Sequence, residues 1–89
     1  MADKAGIEQQ KEVFQRALMV YIDRDEVRQG LWMEYTARDQ LVQAKLKIER
    51  CLSLLEKKPE GYPGEIQKEV PDILNYTAFA DRLITGNAS

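Results

Sequence analysis

Strong helix breakers are nearly absent from the interior of this chain. Apart from Pro71, they are Gly30 and the run Pro59-Glu60-Gly61-Tyr62-Pro63-Gly64. Between them, no apolar/polar alternation of strand length appears, while apolar residues recur every three to four positions. Three helical segments follow, and with them an all-α fold: a small bundle of three to four helices, depending on whether the first breaks at Gly30. The expected helices span about 7–29, 36–57 and 65–84 of one domain, between a frayed tail at 1–6 and another at 86–89. Eighty-nine residues bury only about 60–65% of their unfolded surface, so such a bundle is expected to be completed by oligomerisation, as a dimer or tetramer.

In the first segment Ile7, Phe14, Leu18 and Tyr21 fall on one side, widened by Val13, Ala17, Val20 and Val27. The dense patch Leu31-Trp32-Met33, followed by Tyr35, reads as a plug closing one end of the bundle, a subunit interface, or a surface on which a base could stack. Thr36 is a good N-cap with Asp39 three residues on. The helix behind it carries Leu41, Ala44, Ile48, Cys51, Leu52 and Leu55 on one stripe, and Lys57-Lys58 before Pro59 suit its C-terminus.

The third segment organises the functional reading. At about 100° per residue, Ile66, Val70, Ile73, Thr77, Ala80 and Ile84 form a plain core stripe. Beside it run Glu65, Glu69, Asp72, Tyr76, Phe79 and Leu83, three carboxylates leading into aromatic and aliphatic side chains. Acids on such a stripe point toward the mouth of a cleft. Pro71, inside the acidic turn, is expected to disturb the helix.

Composition narrows the chemistry. The net charge of −2 argues against a general nucleic-acid binder. There is no His, which removes the usual general base and nearly all zinc sites. No phosphate-binding glycine loop is present. Any metal would therefore be held by oxygen ligands, as Mg²⁺, Mn²⁺ or Ca²⁺ are. The lone Cys51, on an apolar face, fits a reducing compartment. With no apolar run of membrane-spanning length and no secretory h-region, the expected location is the cytoplasm. Residues 36–58 carry six basic side chains against three acidic ones, and residues 59–89 two against five. This describes a basic helix packed beside an acidic one, or a cationic surface for phosphates beside an acidic one for metal.

Glu69-Val70-Pro71-Asp72-Ile73-Leu74-Asn75-Tyr76-Thr77-Ala78-Phe79-Ala80-Asp81 resembles the third-helix signature of the MazG-like nucleoside triphosphate pyrophosphohydrolases, a Glu-x-x-Asp followed by an apolar run. The stretch Arg38–Arg50 is similar to the basic helix that short phage-type relatives carry before a short loop. The resemblance covers roughly residues 24–84. It implies an all-α oligomer that cleaves a (d)NTP to the monophosphate and pyrophosphate, with Mg²⁺, or Mn²⁺, held by acidic residues. Carried over by position, Glu69 and Asp72 become catalytic metal ligands and Asn75 a neighbour of the site. In the enzyme reading Glu65 and Glu49 assist the metal, Lys45, Lys47 and Arg50 steady phosphate oxygens, and Trp32 or Tyr35 stacks on the base. Two features depart from the family. The tyrosine–glycine–aspartate turn is missing near Gly30. The Glu-x-x-Glu of the preceding helix is reduced to Glu49 between Leu46 and Leu52, which fits an atypical or inactive member. The alternative is a self-associating interaction module without catalysis, using Leu31-Trp32-Met33 and the stripe Tyr76, Phe79, Leu83 as contact surfaces.

Overall fold

The computed structural model describes residues 3–28 and 30–86. Among these residues the fold is all-α. Helix α1 spans Lys4–Arg28, α2 spans Ala37–Lys57, α3 spans Tyr62–Thr85, and a single 3-10 turn covers Leu31–Glu34. Both α1 and α2 pack on α3 and scarcely on each other, so α3 is the central element. No helix among the described residues is long and apolar enough to cross a membrane. Met1, Ala2, Gln29 and residues 87–89, which belong to the expected tails and to the end of the first helix, lie outside the described residues.

Local chemistry explains where the helices begin and end. The Asp3 carboxylate accepts from the Gly6 amide at 3.0 Å, and the Asp3 carbonyl from Ile7, so α1 starts three residues before Ile7. Gly30 sits in the left-handed region (φ 77°) and donates its amide to Asp25 at 2.8 Å; a Cβ there would meet Met33 Cε at 2.7 Å. At α2 the Thr36 hydroxyl accepts from the Asp39 amide, and the Asp39 carboxylate from the Thr36 amide, which completes a capping box. Lys58, also left-handed, closes that helix by donating to the Leu54 carbonyl. The connector to α3 is shorter than the sequence suggests. Gly61 turns the chain, Tyr62 begins the helix, and Pro63 falls in the first turn, where its missing amide costs nothing. Helix α3 runs through the buried Pro71 unbroken and ends at Gly86, again left-handed.

The packing departs from the expected stripes. Among the described residues the buried apolar side chains are Ala17, Ala44 and Ala80, one from each helix, together with Pro71, and no large side chain is fully buried. Small side chains let the helices approach closely but leave the larger ones outside. Ile84, expected in the core, is 70% exposed, and Thr77 is exposed as well. Both stripes turn partly inward: Ala80 of the core stripe and Asp72 of the acidic one are buried, as is Pro71. Phe14, Leu18, Leu41, Ile48, Leu52 and Leu55 all remain about half exposed, and Val27 almost wholly so. Gln40 is buried instead and donates to the Trp32 carbonyl at 3.0 Å, tying the 3-10 turn to α2.

The Thr36→Ala variant should lose about 1 kcal/mol of stability through the broken cap. Urea unfolding at fixed protein concentration measures this, and a midpoint equal to wild type would show that the cap carries no stability.

Candidate functional site

The inward carboxylates of α3 are met by cations from both neighbouring helices. Lys47 Nζ lies 2.9 Å from Glu69 and 3.6 Å from Asp72. Arg24 of α1 reaches Asp72 at 2.5 Å. Arg50 lies 3.4 Å from Glu65 and 3.9 Å from Glu69, and Lys68 pairs with Glu65 at 3.5 Å. The Glu69 and Asp72 side chains are only 13% and 10% exposed, whereas Glu65 stays near the surface. Glu69 Oε2 is buried and has no partner of hydrogen-bond geometry; its close neighbour is the Lys47 charge.

These contacts sort the residues expected from sequence. Glu65, Glu69, Asp72, Lys47 and Arg50 are brought together. Lys45 and Glu49 are not: they pair with each other at 3.8 Å on the exposed side of α2. Lys45 and Lys47 are two residues apart, about 200° around the helix, so only one can face α3. Asn75 spends its amide on the Ala17 carbonyl at 2.9 Å, a tie between α3 and α1. Trp32 stacks on Phe79 (ring centroids 4.5 Å apart, planes 13°), with Tyr21 edge-on to both. The Arg82 guanidinium lies 4.4 Å from the Trp32 ring centroid and donates to the Tyr21 hydroxyl. Of the Leu31-Trp32-Met33 patch, Trp32 is thus engaged with Phe79 inside one chain, while Leu31 and Met33 stay exposed. Tyr35 stays about half exposed.

A cavity of about 460 Å³ opens in the angle between α1 and α2, above α3. Its aromatic wall comprises Tyr21, Trp32, Tyr35, Tyr76 and Phe79; Arg24 and Arg28 project from α1, Gln40 and Gln43 from α2, and Asp72 and Asn75 from α3. Asp25 and Asp39 also line it, but their carboxylates are engaged by the Gly30 and Thr36 amides. Of the acidic pair only Asp72 reaches the cavity, while Glu69 stands behind it against α2. Arg28 makes no ion pair among the described residues and stands as the cavity's available cation. The sequence reading missed Arg24 and Arg28. The signal available was the spacing Tyr21, Arg24, Arg28, which repeats at i, i+3, i+7 on one face of α1.

Electrostatics follow the same arrangement. Glu69 above all, then Asp72 and Tyr76, push Lys47 above its ordinary value against the opposing effect of burial. Burial, then the Glu69 carboxylate, pushes the Cys51 thiol up, so Cys51 is a poor nucleophile. Among the described residues no three acidic or thiol groups converge as a ready metal cage. The donors fit Mg²⁺ only in the mode that uses one or two carboxylates and takes its remaining ligands from water and substrate phosphates. Asp72, which lines the cavity, and Glu69 behind it are the two carboxylates available for this, each already paired with a cation.

No family model matches the chain, and neither the curated proteins nor the solved structures contain a match.

Because the folded state raises the Lys47 value, its stabilising effect is complete below the unfolded value of about 10.4 and is lost as pH rises through the higher folded value. Wild type should therefore lose more stability above about pH 10.4 than Lys47→Met. Urea midpoints collected for both across that range test this; parallel curves would show that Lys47 is not coupled to folding.

Proposed function

We propose that this chain binds a nucleoside triphosphate in the α1–α2–α3 cavity and acts as an atypical member of the MazG-like (d)NTP pyrophosphohydrolase type. The observation that carries this reading is Asp72: a nearly buried carboxylate beside Glu69 that opens into a cavity with arginines on one wall and aromatic rings on another. The base and the phosphates of a nucleotide need such unlike surfaces side by side.

The acids and cations of the site are compatible with that ligand because it carries both charges. As folded, Glu69 and Asp72 are balanced by Lys47, Arg24 and Arg50. A metal–triphosphate brings oxygens for the cations and a cation for the carboxylates, so internal ion pairs are exchanged rather than left unpaired. Arg28, which makes no ion pair among the described residues, supplies the first attraction for the phosphates, and Arg24 follows when its contact with Asp72 is released. Lys47 faces the Glu69 carboxylate from α2. Tyr35, half exposed at the rim, has a ring face to offer the base, whereas Trp32 is already stacked on Phe79. When bound, Mg²⁺ would be held by Asp72 and Glu69 and would polarise the phosphate and lower the pKa of a bound water. The side of α2 that faces the α3 acids carries Lys47 and Arg50, and Glu49 pairs with Lys45 elsewhere, so two carboxylates must suffice. This is the physical meaning of calling the site atypical.

The test is pyrophosphate release from a panel of NTPs and dNTPs with Mg²⁺ or Mn²⁺. Wild type should release pyrophosphate only with metal. Asp72→Asn should lower the rate by at least about 100-fold with its circular dichroism unchanged. Arg28→Gln, at an exposed position, should raise KM more than it lowers kcat. No release from folded wild type, or unfolding of Asp72→Asn together with wild-type kinetics for Arg28→Gln, would refute the proposal and leave the carboxylates structural.

A further inference from the structure

Of the ion-pair network around the α3 acids, two members line the cavity: Arg24 and Asp72. Lys47, Glu69 and Arg50 do not. The Arg24 guanidinium holds Asp72 Oδ1 at 2.5 Å. The other oxygen, Oδ2, lies 3.6 Å from Lys47 of α2. Both oxygens of Asp72 therefore already face a cation, and the cation that stands in the cavity is Arg24.

The two partners differ in freedom. The Asp72 side chain is 10% exposed and sits between helices, whereas that of Arg24 is 49% exposed. Arg24 is the part that can move. Four positions on, one turn along α1, Arg28 lines the same cavity, exposed and with no ion pair among the described residues. Like charges at that spacing repel. Arg24 swung off Asp72 thus comes to stand beside Arg28 and needs an anion there.

This arrangement treats single ligands and paired ligands differently. A divalent cation arriving alone at Asp72 must displace a guanidinium and then share the cavity with two unpaired arginines. A polyanion arriving alone draws Arg24 away and leaves Asp72 facing it, a carboxylate with one counter-ion fewer in a nearly buried place. When cation and anion arrive together, the anion takes both arginines and the cation takes the carboxylate, and every charge keeps a partner.

We infer that Arg24 is a latch on Asp72 that an anion opens, so that the site refuses a free divalent cation and accepts one only with a phosphate-bearing ligand. The inference deepens the nucleotide reading and rests on its placing of phosphates beside Arg28 and metal at Asp72. Arg24 acts through Asp72 and is a positioning residue.

Two binding measurements test it, and neither depends on turnover. In the first, Mn²⁺ alone is titrated into protein and the unbound ion is followed by electron paramagnetic resonance. Arg24→Gln, at a half-exposed position, should keep its circular dichroism and bind Mn²⁺ at least about 10-fold more tightly than wild type. In the second, inorganic tripolyphosphate is titrated calorimetrically in the presence of EDTA. Asp72→Asn, which releases Arg24, should bind it at least about 10-fold more tightly than wild type. Glu34→Gln removes the same charge from an exposed residue outside the cavity wall and should change that affinity by well under this factor. Wild type that binds Mn²⁺ alone as tightly as Arg24→Gln, or Asp72→Asn that binds tripolyphosphate no better than Glu34→Gln, overturns the latch. Either result obtained beside metal-dependent pyrophosphate release overturns the latch and spares the nucleotide reading. Both expected results without any pyrophosphate release uphold the latch in a site that binds without hydrolysis. If Arg24→Gln does not fold, the tripolyphosphate comparison decides, and no binding of either probe by any folded variant overturns both.

Discussion

Carboxylates in the interior of a protein this small must be met by cations, and that requirement shapes this molecule. Glu69 and Asp72 face the angle between α1 and α2 and not the solvent. Lys47 from one side and Arg24 from the other close on them, so the same two acids join all three helices. Removing one member of such a network costs more than its contacts are worth, because the charges left behind lose water without gaining a partner. The partial exposure of Arg24 and Lys47 softens that cost and leaves them able to exchange partners. The arrangement positions the helices while its cations keep part of their surface in water.

The apolar core has a different logic. With alanine from each helix at the closest approach, the helices come together without interdigitating large side chains. The larger apolar side chains stand on the outer faces of α1 and α2. Asn75, Gln40 and Arg82 then do work that leucines do elsewhere, fixing the relation of the elements by directional bonds to the Ala17 carbonyl, the Trp32 carbonyl and the Tyr21 hydroxyl. Such bonds specify geometry better than they supply stability.

What was legible in the sequence was local. The Thr36–Asp39 cap, the stop at Lys57–Lys58 and the helical period all depend on residues within four positions of one another, and periodicity reports them. The partners that make the site are distant: Arg24 meets Asp72 across 48 positions, and Trp32 meets Phe79 across 47. No pattern in a single chain announces such pairs. The reading of α3 shows why the burial went astray. Hydropathy assigns Ile84 to the core stripe, and the structure leaves it 70% exposed; the acids, expected at the mouth of a cleft, meet Lys47 and Arg24, which no local pattern named. For Lys45 and Lys47 composition offered two equivalent candidates, and only the rotation of α2 separates them.

Trp32 is the only tryptophan of the chain, and it forms part of the cavity wall, stacked on Phe79 with a guanidinium over its ring. The indole's emission therefore comes from one place. Its environment joins the 3-10 turn, the end of α3 and the cavity, so any event that fills the cavity or shifts the turn changes the optical signal of the unmodified protein. The chain carries its own fluorophore at the point where its helices and its candidate ligand would meet.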